Sequence, residues 1–369
     1  MSVSKISRIT TELGEEKRMM SDFIVAPGEI IKEYFDARGL TQKDVAKRID
    51  VSERHLSQLI NGKSRLTEDM ALKLEKLMPD VPASFWLNYE VKYQEYLARE
   101  REQTEFDNAE LKDIARRFHF KEVFGRTKMP LVEQAIAMLK ILHVSSFGQY
   151  RYAVPGNMEF MQDGGDDEAV IVWIKLCEEE AEEQNKDLSE VPFSKERLES
   201  SMDRLKMIAL NPKVDDSIES ARKLFNRCGV YLVVRPAISN SKVRGALATY
   251  MGHPAVYISK RYKTHDHVWF TIVHELAHLL LHYDSKQPIV SMEELASEAH
   301  RDEEANRFAR SFFVDTDDYK AFTETNEFSR GRVYEFAKSQ AVDPGIVVGF
   351  LQHDGFIEFN TLSDLKTSC

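Results

Sequence analysis

VWFTIVHELAHLLLH, residues 268–282, decides how the rest of the chain is read. Its apolar residues recur at helical spacing, and His274 and His278 stand four apart with Glu275 directly after the first. On a helix both imidazoles project from one face about one turn apart, so two ring nitrogens can converge on one ion. Glu275 is then placed to take a proton from a bound water and pass it to a leaving amine, and zinc lowers the pKa of that water towards neutrality. The expected chemistry is peptide hydrolysis with Zn2+ as cofactor. A lone histidine in such a run is ordinarily a core residue satisfied by hydrogen bonding; two at this spacing beside a glutamate reverse that reading.

A third protein ligand is expected from a later helix, and DEEANRFARSFF (302–313) offers Asp302 and Glu303, which point about 100° apart around the helix. An acidic solvated face is the plainer reading of the same residues. His282 follows His278 by four, as a substrate contact or as a helix-end histidine meeting the carbonyl dipole. His253, His265 and His267 read as loop positions. Strand-like periodicity begins at GVYLVVRP (229–236) and continues through VRGALATYMGHPAVYISK with a turn at MGHP. Helical patterning returns at Val268, over Glu293 to Phe313, and near Arg330 to Phe350, so this end of the chain is expected to be α+β.

Near the other end, TQKDVAKRIDVSERHLSQLINGK has helix–turn–helix spacing. A helix from Thr41 to about Ile49 is followed by a turn at Asp50 and Val51, then by a helix capped by Ser52 that ends near Gly62. Ala46 is small where the helices cross, and Val45, Ile49, Val51, Leu56 and Ile60 supply apolar contacts. Between Lys43 and Arg65 six basic residues face three acidic ones, in a chain whose net charge is −11. Phosphate attraction needs such a patch, and base reading needs side chains like Glu53, Arg54, His55 and Gln58 early in the second helix. A small helical bundle with solvated charges is the plainer alternative.

The 369 residues, 43% hydrophobic and 30% charged, suit two or three soluble domains. The acidic balance excludes a protein that coats nucleic acid over its whole surface. Three scattered cysteines, Cys177, Cys228 and Cys369, make neither a disulfide frame nor a thiolate cage. A cytoplasmic location is expected, since no stretch reaches about 18 uncharged apolar residues and residues 1–20 lack a signal-peptide core.

Two resemblances sharpen this reading. Residues 26–93, with the leading PGE, the NGK, TxxMALKL and FWLN, resemble the Cro/repressor-type (XRE) helix–turn–helix of HigA-family antitoxins. The resemblance implies Gln42 at a phosphate, Ser52, Arg54, His55 and Gln58 in the major groove, and a dimer on a palindromic operator. Lys63 joins them as a basic contact. The turn residue, usually glycine, is Asp50, whose short polar side chain tolerates the left-handed region. Residues of about 220–315 resemble the ImmA/IrrE metallopeptidases, and FAKSQAVDPGIVVGFLQHDGFI resembles the tail of members fused to antitoxins. Peptidases of this zinc-and-glutamate type carry an ExxA(N/D) pattern, which assigns Asp302 as third metal ligand, aspartate standing where glutamate is usual, and Asn306 as the residue orienting a histidine ligand. Some members of the family cleave a helix–turn–helix repressor.

The expected architecture is mainly α and multidomain: a flexible tail (1–22), an all-α helix–turn–helix domain (23–98), a helical connector (99–225) and an α+β, zincin-like peptidase domain (226–369). The expected function is a DNA-binding regulator carrying a zinc endopeptidase that cleaves itself or a partner repressor or toxin-linked protein. The alternative is a non-proteolytic antitoxin or repressor whose C-terminal domain binds only a toxin, a metal or a signal.

Overall fold

Caps and a left-handed turn residue build the first unit. In the computed structural model, which describes residues 24–104, 108–125, 127–154, 166–261, 263–284, 289–292 and 299–368, the chain divides into two compact units. The described part of one comprises residues 24–112 with 130–133, and of the other 113–129 with 134–368. The tail expected at 1–22 lies outside the described residues.

The first unit opens with α1 (Pro27–Ala37), α2 (Gln42–Arg48), α3 (Glu53–Ile60), α4 (Glu68–Leu77) and α5 (Ala83–Thr104). The Asp44 N–H donates to Thr41 Oγ1 at the start of α2, and the His55 N–H to Ser52 Oγ at the start of α3. Each cap satisfies an orphan donor and contributes about 1 kcal/mol. Asp50 sits in the turn with φ 51°, the left-handed conformation its side chain tolerates. Helix α3 ends in a Schellman motif: the Lys63 N–H donates to the Gln58 carbonyl and the Gly62 N–H to that of Leu59, with Gly62 at φ 66°. Ile31, Phe35, Val45, Ala46, Leu56, Leu59, Met70, Leu74 and Trp86 close the core.

Further along lie α6 (Asn108–Arg117), α7 (Phe120–Phe124), α8 (Leu131–Leu142), α9 (Asp167–Gln184), α10 (Lys195–Glu199), α11 (Met202–Ala209) and α12 (Val214–Arg227). Next come β1 (Tyr231–Arg235), β2 (Val243–Tyr250), β3 (His253–Ser259), α13 (His265–Leu281), β4 (Ile289–Met292), α14 (Ala299–Phe313), α15 (Thr316–Glu324), α16 (Arg330–Ser339) and α17 (Pro344–His353). The sheet order is β1–β3–β2–β4, parallel between β1 and β3 and antiparallel elsewhere. Met251 and Gly252, both at positive φ, make the β2–β3 turn, as a two-residue hairpin of matching twist requires. Side chains alternate across the sheet. Val256 and Ile258 join a core with α12 and α13, while Tyr257 meets Trp173 of α9 edge to face. The sheet is thus covered on both sides.

The structure refines the sequence reading in three places. Strand β4 is too short for its periodicity to register in sequence. The helical patterning near Arg330–Phe350 is carried by two helices, because Ala341 turns left-handed at φ 54° and Pro344 restarts the chain as a first-turn residue of α17. His265 and His267 are not loop residues: α13 begins at His265, one turn before its apolar pattern, with Thr264 extended ahead of it. His253 is the first residue of β3, its Nδ1 3.1 Å from the Gly229 carbonyl oxygen. Among the described residues no helix is long and apolar enough to cross a membrane.

Candidate metal centre and nucleic-acid interface

Helix α13 is buried on nearly every side, with Trp269, Ile272, Val273, Leu276 and Leu279 in the core and the Trp269 indole N–H donating to Ser217 Oγ. Each such aliphatic side chain contributes about 1.5–3 kcal/mol on burial, which offsets the cost of holding polar groups in the same helix. Those groups are His274, Glu275 and His278, all buried, the last two fully. Helix α14 lies alongside, and the pairing of residue 274 with 306 and of 278 with 302 makes the two antiparallel. Ala277, Ala305 and Ala309, all fully buried, keep the helices slim where they pack.

Nε2 of His274 and Nε2 of His278 stand 3.1 Å apart, and Asp302 Oδ1 lies 3.7 Å from the first and 3.2 Å from the second. Ligand atoms about 2.0–2.1 Å from a tetrahedral zinc lie about 3.3 Å from one another, so two imidazoles and this carboxylate fit the ion. His274, His278 and Asp302 form the group brought together among the described residues; Glu303, the neighbouring acid, is not in it. Aspartate, one methylene shorter than glutamate, still reaches both imidazoles. Asn306 Oδ1 stands 3.0 Å from Nδ1 of His274, where it accepts the ring proton and leaves Nε2 free for metal.

Glu275 has its room from the sheet. A Cβ built on Gly245 of β2 would lie 2.4 Å from Glu275 Oε1, so the carboxylate occupies the space a side chain there would take. Gly245 also borders a register shift in the β2–β4 pairing. Neither feature carries a periodic signal; a glycine interrupting an apolar strand was the available clue.

On the first unit, Gln42, Ser52, Arg54, His55 and Lys63 are exposed and Gln58 is half-buried. Ser52 is engaged as the cap of α3, and Arg54, His55 and Gln58 follow within the next two turns. Asn61 Nδ2 donates to the Ser57 carbonyl, which steadies the loop carrying Lys63.

Residues 31–86 match the helix-turn-helix family and residues 227–330 the IrrE N-terminal-like domain of the M78 peptidases. The chain is 39% identical over 67 residues to virulence-associated protein A′ of Dichelobacter nodosus, a match covering 18% of this chain and 58% of that protein. It is 36% identical over 75 residues to an uncharacterized HTH-type transcriptional regulator of Haemophilus influenzae, covering 20% and 69%. The chain therefore spans less than two thirds of the first of these relatives. A solved addiction module antidote protein of a HigA family from Coxiella burnetii matches at 25% identity and TM-score 0.20, over 23% of this chain and 96% of that one.

Proposed function

Since the chain belongs to the helix-turn-helix transcriptional regulators and also carries an IrrE N-terminal-like domain, we propose that it is a DNA-binding repressor whose C-terminal half is a zinc-dependent endopeptidase. It acts in the cytoplasm, as a homodimer on a palindromic operator, and its peptidase cleaves either itself or a partner repressor or toxin-linked protein. The observation that carries this reading is the convergence of His274, His278 and Asp302 within 3.7 Å beside a buried Glu275. Bound zinc supplies a Lewis acid and a water of lowered pKa. Glu275 takes the proton of the attacking water and delivers it to the leaving amine. Asn306 fixes the proton on Nδ1 of His274. Joining the operator-binding and hydrolytic modules in one chain raises the effective concentration of a scissile segment between them.

The test is to measure zinc per chain, then to follow cleavage of the protein and of repressors encoded beside it, with and without a chelator. About one zinc per chain and discrete fragments abolished by chelation support the proposal. Zinc retained with every chain intact overturns it in favour of a module that only binds.

For the operator, Arg54→Ala is expected to weaken specific binding by about 1–3 kcal/mol and relax preference at one base pair. Lys63→Ala should weaken all sequences alike and reduce the salt slope by about 1. Anisotropy titrations at two salt concentrations against specific and scrambled duplexes separate the two effects.

A further inference from the structure

The two imidazoles of the centre differ in what stands behind them. Nδ1 of His274 faces an amide oxygen, that of Asn306. Nδ1 of His278 faces another ring, with Nδ1 of His282 3.1 Å away. On the far side of that ring, Nε2 of His282 lies 2.9 Å from Glu304 Oε2 on α14. The His282 backbone is tied as well, its N–H donating to the His278 carbonyl at 2.8 Å. A helix-end histidine serving only the carbonyl dipole would not commit both ring nitrogens to side chains.

Two ring nitrogens in contact need one donor and one acceptor. If Nε2 of His278 is to meet a metal, its proton is on Nδ1, so His278 donates and Nδ1 of His282 accepts. The proton of His282 is then on Nε2, where the Glu304 carboxylate accepts it. One assignment of tautomers satisfies all of these contacts, and it leaves the metal-facing nitrogen of His278 bare. Resting on the zinc-centre reading above, we propose that His282 and Glu304 are a positioning relay that fixes the tautomer and orientation of His278 and so sets the affinity of the site for its metal. The charge of Glu304, passed through one ring to the next, makes the ligand nitrogen more basic.

The experiment is competition for zinc between a chromophoric chelator and the full-length protein, as wild type, His282→Phe and Glu304→Gln. Phenylalanine keeps a ring and removes the acceptor; glutamine keeps an acceptor and removes the charge. His282→Phe is expected to raise the zinc Kd about 10–100-fold, and Glu304→Gln to raise it by a smaller factor. The melting temperature of the metal-free protein is expected to stay put for Glu304→Gln, whose side chain is partly in solvent, so a lowered affinity there is not a folding defect. Unchanged affinity in either variant overturns the relay while leaving the zinc centre standing. A wild-type protein that takes up no zinc overturns the centre and the relay together.

Discussion

Glu275→Gln is expected to lower peptide cleavage by about 10²–10⁴-fold, or about 3–5.5 kcal/mol in the barrier, with zinc content unchanged. The substitution preserves shape and removes only the ability to accept a proton. His274, His278 and Asp302 converge without any contribution from Glu275, so the ion should bind as in the wild type. The position is fully buried, against Gly245. The glutamine therefore has little freedom to swing away and let bulk water substitute for the base. Cleavage by the variant at the wild-type rate, in a preparation shown to hold its zinc, would remove Glu275 from the mechanism.

A comparable loss, this time of stability, is expected far from the ligands. Lys366→Met should cost about 3–5 kcal/mol, measured by denaturant unfolding at neutral pH. Lys366 Nζ lies 2.8 Å from Asp266 Oδ2 in the first turn of α13, and both side chains are largely buried. Breaking the pair leaves a buried carboxylate without its lysine counter-charge and with His267 as the remaining partner, which is costlier than the pair's own net value. Burial pushes Asp266 up, but the hydrogen bond and charge of His267, followed by those of Lys366, hold its carboxyl far below the usual range. A carboxylate depressed in the folded state stabilises above its unfolded pKa of about 3.9 and loses that contribution as pH falls through the folded value. The acid limb of the stability curve should therefore flatten in Lys366→Met. The pair also anchors α13: the His265 N–H donates to the Thr367 carbonyl, and Thr264 bridges Ser368. With a domain's whole stability near 5–15 kcal/mol, a change of less than about 1 kcal/mol would show that this anchor is not needed.

Both halves of the candidate machinery were legible where the signal is local. Thr41, Ser52 and Asp50 each act on backbone within a few residues, so capping and turn chemistry reveal the helix–turn–helix directly. His274 with His278, and Asp302 with Asn306, are one turn apart on their helices, and helical spacing alone places each pair on one face. What escaped depends on contacts distant in sequence. The His282–Glu304 contact requires the antiparallel register of α13 and α14, the Asp266–Lys366 pair joins residues a hundred apart, and the space at Gly245 exists only once a sheet lies against α13. Helix α9 is another case. It is buried almost all round, with Trp173 on Tyr257, and carries no one-sided periodicity to show where it docks.

Gly245 has a consequence for how related chains diverge. The histidine–glutamate signature can survive intact on its helix while one added methyl group, on a strand thirty residues earlier, displaces the Glu275 carboxylate from its seat. On the proposed reading, a lineage that drifted to alanine there is expected to keep its grip on the ion and forfeit hydrolysis, a mute metal holder without any alteration in the motif by which proteases of this kind are spotted.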